Sequence, residues 1–160
     1  MDITMEQIGA EAIAKIIDSI FSTMMDVHVS VVDSPRAKIG DRVISSVHLE
    51  GTWNGAVSMQ CSRRQACEFA GKVLCMDTPE EMDNDVRDAV GEIVNMIGGN
   101  MKAAMGRDVR LSLPTVIDGC DYEMRVCGSA VEHTVGFNYS GGDFWVTVLV
   151  KDSPRAPECN

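Results

Sequence analysis

Apolar residues recur at helical spacing in three stretches of the chain, and β-branched or alternating runs fill much of the rest. Thr4 with Gln7 forms a capping box, and Ile8, Ala12, Ile16, Ile20 and Phe21 continue one apolar face, predicting a core-facing helix to about Met25. The β-branched run from Val27 to Val32, ended by Asp33-Ser34-Pro35, predicts a strand. Arg42 to Glu50 and Gly55 to Cys61 predict a strand pair around Gly51-Thr52-Trp53-Asn54, with Trp53 packing the loop. Ser62 with Gln65 caps a second helix to about Met76, its inner side formed by Ala66, Phe69, Ala70, Val73 and Leu74. Thr78-Pro79-Glu80-Glu81 predicts the start of the longest helix, or of a closely joined pair, running to Met105. Four short β-rich segments then follow Gly106, near 108–113, 115–118, 121–138 (open to a break at Gly128) and 143–150. In the last of these, Phe144, Val146, Val148 and Val150 alternate with Trp145, Thr147 and Leu149, so both faces are largely apolar. A central strand, an edge strand sealed by a second protomer and a helix over the outer face all explain that pattern.

The expected fold class is α+β, a single domain over 1–151 with helices packed on a mostly antiparallel β-sheet. The segment 152–160, with Pro154, Pro157 and no periodicity, is expected to be a disordered tail. A length of 160 residues, 45% hydrophobic, suits one core and is too short for two of ordinary size. The net charge of −10 argues against nucleic acid, which is bound mainly by clustered Lys and Arg, and the pair Arg63-Arg64 is expected to be a solvated turn at a helix start. No apolar run reaches the roughly 18 residues a membrane span needs, and no signal-peptide order is visible, so a cytoplasmic protein is expected. The six cysteines form no C-x-x-C pair and are read as reduced. His28, His48 and His133 lie in separate predicted strands, so no metal site is expected.

The longest helix carries a narrow polar stripe. Asp88, Glu92, Asn95, Gly99 and Lys102 follow one another at steps of four, three, four and three residues. At about 100° per residue they fall within an arc of roughly 80°, while Ala89, Val90, Ile93, Val94, Met96, Ile97, Met101, Ala104 and Met105 occupy much of the remainder. A solvated surface face is one reading. Its composition favours a second reading, because solvated faces use good helix formers, whereas Asn95 and the pair Gly98-Gly99 weaken a helix interior, each glycine by about 1 kcal/mol relative to alanine. Asn100 falls toward the apolar side and is expected to be a buried amide bonded to a neighbouring loop.

The segment DAVGEIVNMIGGNMKAAM resembles the signature of the CheX/CheC/FliY family of chemotaxis phosphatases, in which Asp or Ser is followed by Glu, Asn and, further on, Pro. Asp88, Glu92, Asn95 and Pro114 match that order, although the interval from Asn95 to Pro114 is a few residues shorter than in the family. The layout of elements is similar to CheX over nearly the whole chain, and the signature occurs once, as expected of a CheX-like member rather than a CheC-like one with two. The resemblance implies a CheC-like fold, a homodimer formed by sheet-to-sheet pairing, and a phosphorylated CheY-like receiver domain as partner and substrate.

By itself the stripe cannot make an active site. No Ser, Cys or Thr near it has a base in the sequence pattern, and Gly98-Gly99-Asn100 lies late in a helix, whereas phosphate cradles sit at helix N-termini. It could complete a partner's site. A receiver of the class the resemblance implies holds its own Mg2+, an aspartyl phosphate and a lysine, so no cofactor of this chain's own is needed. On that reading Asn95, a neutral amide, orients the attacking water without repelling the phosphoryl oxygens, and Glu92 meets the receiver's lysine. Asp88, Gly99 and Lys102 belong to the partner-binding face, Gly99 permitting close approach, and Pro114 shapes the loop after the helix. A non-catalytic receiver-binding module similar to flagellar-switch relatives is the alternative, and a small-molecule sensor a more distant one.

Overall fold

The computed structural model describes residues 9–33, 41–106, 108–120, 127–139 and 142–151. Among these residues three helices, α1 (Ala10–Met25), α2 (Arg63–Val73) and α3 (Asn84–Met105), accompany seven strands. These are β1 (Ser30–Val32), β2 (Asp41–Gly51), β3 (Gly55–Ser62), β4 (Val109–Leu111), β5 (Thr115–Cys120), β6 (Ser129–Tyr139) and β7 (Gly142–Lys151). All pairings are antiparallel, in the order β1-β6-β7-β3-β2-β4, with β5 also paired to β2 beyond β4. The α+β expectation holds, and local chemistry accounts for the principal joints.

Between β2 and β3, Asn54 clasps Gly51 with its carboxamide, accepting from the Gly51 N–H at 3.2 Å and donating to its carbonyl at 3.3 Å. Gly51 has φ +149°, and a Cβ there would collide with the Asp108 carbonyl, so the turn demands glycine. Trp53 is buried in this loop, as expected. Ser62 and Gln65 form the anticipated capping box, each bonding the other's backbone N–H at 3.1 Å.

The core lies between one sheet face and the helices. Phe21 of α1 stacks on Phe144 of β7 at 5.1 Å and meets Phe69 of α2 edge-on at 5.1 Å, while Phe137 of β6 stacks on Phe144 at 5.3 Å. In α1 the fully buried positions are Ile13, Ile17, Ile20, Phe21 and Met25, with Ala12 and Ile16 only partly covered. The face is therefore rotated from the one expected, because a wide apolar arc leaves its centre to be chosen by the aromatic residues it meets. Leu74, expected inward, is exposed: α2 ends at Val73, and Cys75 turns away in the left-handed conformation.

Several expected boundaries shift. The first strand is only Ser30–Val32, limited to its register with Gly136–Asn138 of β6. The closing strand β7 is central, flanked by β6 and β3, so it is not an edge strand awaiting a second protomer. Phe144, Val146 and Val148 face the core, and on the other side Trp145 is 8% and Thr147 3% exposed. Thr4, Gln7, Ile8, the segment 121–126 and the proposed tail 152–160 lie outside the described residues.

Candidate functional site

The helix that carries the stripe begins later than its sequence suggests. Asp83, not Thr78, is the N-cap, its carboxylate accepting from the Val86 N–H at 2.9 Å, and Thr78 to Met82 form an irregular connection. Both sequences supply capping chemistry, and packing decides: Thr78 is drawn against buried Gly71, whose missing side chain lets the Thr78 backbone come within 3.1 Å of a Cβ position. At the other end Gly106 closes the helix with φ +60° and bonds back to Lys102 and Ala103.

On the sheet side Val86, Ala89, Val90, Ile93, Val94, Ile97, Met101 and Met105 are buried. On the opposite side Asp88, Glu92 and Lys102 are exposed, and Asn95 and Gly99 are half-buried. The structure thus brings all five stripe residues onto one open face. Among the described residues, the side chains of Asp88, Glu92, Asn95 and Lys102 make no hydrogen bond or ion pair. Glu92 and Asn95, one turn apart, have β-carbons about 5–6 Å from each other, so their polar ends can converge on one object.

The glycines of the helix divide by function. At Gly98 a Cβ would stand 2.8 Å from Val47 Cγ1 and 3.0 Å from Leu111 Cδ2, so this residue is glycine to let the helix settle on β2 and β4. One heptad earlier Gly91 is in contact rather than in collision: Pro114 Cγ lies 3.4 Å and Val116 Cγ2 3.6 Å from its Cβ position, distances that a methyl group tolerates. Gly99 meets nothing within 4 Å, leaving a bare patch on the polar face. Asn100 departs from expectation; it is exposed, and its amide donates to the Met96 carbonyl at 2.8 Å, one turn back in its own helix. An amide at that position can satisfy itself locally without a neighbouring loop.

Pro114 stands beside the stripe, in the turn between β4 and β5. That turn is fastened to β2 by a reciprocal pair, Ser112 N–H to the His48 carbonyl and His48 N–H to Ser112 Oγ, each 2.9 Å. Farther along β5, Asp118 receives Arg63 Nε at 2.6 Å and lies 3.9 Å from Arg87. Arg63 also approaches Asp41 at 3.5 Å, so the pair Arg63-Arg64, exposed at a helix start as expected, also joins α2 to β2 and β5 through Arg63.

A cleft of about 580 Å³ opens there, lined by Arg63, Arg64, Cys67, Glu68 and Asp118 together with Thr78 to Met82. None of the stripe residues lines it. Its charges are largely turned on each other, Arg63 to Asp118 and Arg64 to Glu68 at 3.0 Å. The Cys67 thiol is pushed up from its ordinary value by burial and then by Asp83, Asp118 and Glu68, so it is protonated rather than nucleophilic. Burial likewise pushes the Cys61 thiol up to about 12. Cys61, Cys67, Cys75 and Cys127 are free thiols. Among the described residues no three His, Cys, Asp or Glu side chains converge as a metal site, and no helix is long and apolar enough to cross a membrane.

The fold has close counterparts among solved structures. A CheX chemotaxis protein from Desulfovibrio desulfuricans superposes with a TM-score of 0.74 at 26% identity, covering 89% of this chain and 98% of its own. The chemotaxis protein CheX from Vibrio vulnificus gives 0.72 at 23% identity, covering 87% and 93%. A chain of the CheX-CheY-BeF3-Mg2+ complex from Borrelia burgdorferi gives 0.68 at 18% identity, covering 89% and 97%. No curated protein matches the sequence. The model of the family described as chemotaxis phosphatase CheX matches residues 43–138, which include most of β2, β3, α2, the whole of α3 and the Pro114 turn. With that match spanning more than half its length, this chain belongs to the CheX family of chemotaxis phosphatases.

Proposed function

We propose that this protein dephosphorylates the aspartyl phosphate of a CheY-like receiver domain, with Asn95 orienting the attacking water and Glu92 pairing with a lysine of the receiver. The observation that carries the reading is the pair itself: a carboxylate and a carboxamide one turn apart on an open helix face, neither engaged by any other described residue. Asn95 is half-buried yet bonds no described residue, whereas Asn54, Gln65, Asp83 and Asn100 each hold a partner. Membership of the CheX family supports the phosphatase activity, and the Borrelia complex of CheX with CheY, BeF3 and Mg2+ supports the kind of partner.

The chemistry follows from what each side would supply. The receiver brings the phosphorylated aspartate, Mg2+ and a lysine. Water attacks phosphorus in line, the bond to the aspartyl oxygen breaks, and inorganic phosphate and a free carboxylate result. Because the transition state is loose, placing the water matters more than deprotonating it. Asn95 can accept a hydrogen bond from the water at Oδ1 while adding no charge beside the phosphoryl oxygens. Glu92 sets the register of docking through a charge-assisted hydrogen bond to the lysine. Asp88 and Lys102 lie at the two ends of the face the receiver covers, and Gly99 leaves room for its backbone. In this reading the protein acts as a homodimer whose α3 faces stay free.

Asn95→Ala tests the assignment. Loss of phosphoryl from a labelled receiver, followed under single-turnover conditions, should slow by on the order of a hundredfold while thermal unfolding stays unchanged. An unaltered rate removes Asn95 from the mechanism. Binding without any dephosphorylation by the parent protein would favour the non-catalytic receiver-binding module instead.

A further inference from the structure

Leu113 lies between the Ser112 clamp and Pro114, and its side chain is 88% exposed, more than any other large apolar side chain among the described residues. The turn cannot readily fold this side chain inward. Ser112 is bonded both ways to His48, its hydroxyl also donates to the Leu113 carbonyl at 3.0 Å, and Pro114 holds the preceding residue toward extended backbone while resting on Gly91. A leucine is thus displayed to solvent by a turn fixed on both sides.

Its location gives the display a purpose. Pro114 touches the helix at Gly91, the residue before Glu92 and one turn from Asn95. A protein partner of standard size covers about 800 Å² on each side, a patch of roughly 16 Å radius, so one centred on Asn95 extends over the adjoining turn. The stripe itself offers such a partner two carboxylates, an amide, a glycine and a lysine, with no large apolar side chain. Interfaces combine a polar rim with an apolar core, and Leu113 is the apolar group within reach.

We propose that Leu113 is the apolar anchor of the receiver interface, packing on apolar surface of the receiver and fixing the position from which Asn95 reaches the water. This inference rests on the phosphatase reading of Glu92 and Asn95. Leu113 acts on docking, and Asn95 on the chemical step.

Steady-state dephosphorylation of a receiver that the parent protein turns over separates the two. Leu113→Ala should raise KM about tenfold and Leu113→Asp further, with kcat held within about twofold, whereas Asn95→Ala should lower kcat with little change in KM. Equal KM for the parent and Leu113→Asp, alongside a slow Asn95→Ala, overturns the anchor and leaves the phosphatase intact. A Leu113→Asp protein that halves its mass in light scattering also overturns it, because the leucine then serves contact between copies of this chain. A parent that dephosphorylates no receiver removes the proposal together with the reading beneath it.

Discussion

Pro114 rests against Gly91, its Cγ 3.4 Å from the point that a Cβ on that glycine would occupy. One heptad later Leu111 and Val47 come closer still to Gly98, within 3.0 Å of its Cβ position. Residues seven apart lie on nearly the same side of a helix, so the two glycines cut a shallow track in which the β4–β5 connection runs beside the polar stripe. The track ties Pro114, distant in sequence, to the turn of helix that bears Glu92 and Asn95. It also separates two adjacent glycines, Gly98 in the track and Gly99 outside it.

That difference predicts opposite effects of one substitution. Gly98→Ala would drive a methyl group against two branched side chains, a cost of about 1–3 kcal/mol that exceeds the roughly 1 kcal/mol gained in helix propensity. Gly99→Ala meets open space and should stabilise the protein by about 1 kcal/mol. Denaturant unfolding of the two variants should give changes of opposite sign; a shared sign would refute the packing account.

The helix face was legible because a 22-residue helix imposes its period over six turns, so Asp88, Glu92, Asn95, Gly99 and Lys102 had nowhere to lie but together. The division of Gly98 from Gly99 was not, since it depends on which strands lie beneath. Leu113 was equally hidden: an apolar residue before proline between two short strands reads as strand or turn, and only the Ser112–His48 clamp reveals that it is held outward. The central position of β7 could not be read either. Alternation reports that both faces are covered and is silent about what lies at its edges.

The start of α3 offers a second test, because two capping sequences competed and one prevailed. Asp83→Ala should cost about 1 kcal/mol in denaturant unfolding, the ordinary loss for an N-cap that bonds the first turn. Thr78→Ala should change stability by only a few tenths of that, since no hydrogen bond of its side chain is present among the described residues. A larger loss at Thr78 would place the functional cap where the sequence first suggested it.

For Glu92 the expectation concerns affinity. A carboxylate that meets a lysine in a dry interface contributes a few kcal/mol, and a neutral isostere keeps the shape while losing the charge. Glu92→Gln should therefore weaken binding to a beryllofluoride-activated receiver by tenfold or more in titration calorimetry. Its unfolding should match the parent, as the carboxylate engages no other described residue. The same affinity in both proteins would eliminate the ion pair.

The last expectation is the homodimer, and the sheet changes where it must form. Since the faces of β7 are covered within one chain they give no reason for a second protomer, and since β7 is central, assembly through strands has to use an edge. One edge, formed by β4 and β5, adjoins the Pro114 turn and the stripe, so a copy seated there would compete with a receiver. At the other edge β1 pairs only with Gly136, Phe137 and Asn138, and among the described residues the preceding part of β6 has no strand on its outer side. An edge of that length is a ready template for pairing with a second chain. The helix α3 lies over β2 near the other end of the sheet, so such a dimer leaves both stripes free to engage two receivers. Light scattering coupled to size exclusion should give a mass near twice 17.4 kDa without any receiver present. A monomer at micromolar concentration would discard the dimer and leave the phosphatase reading standing, because that chemistry requires one exposed helix from one chain.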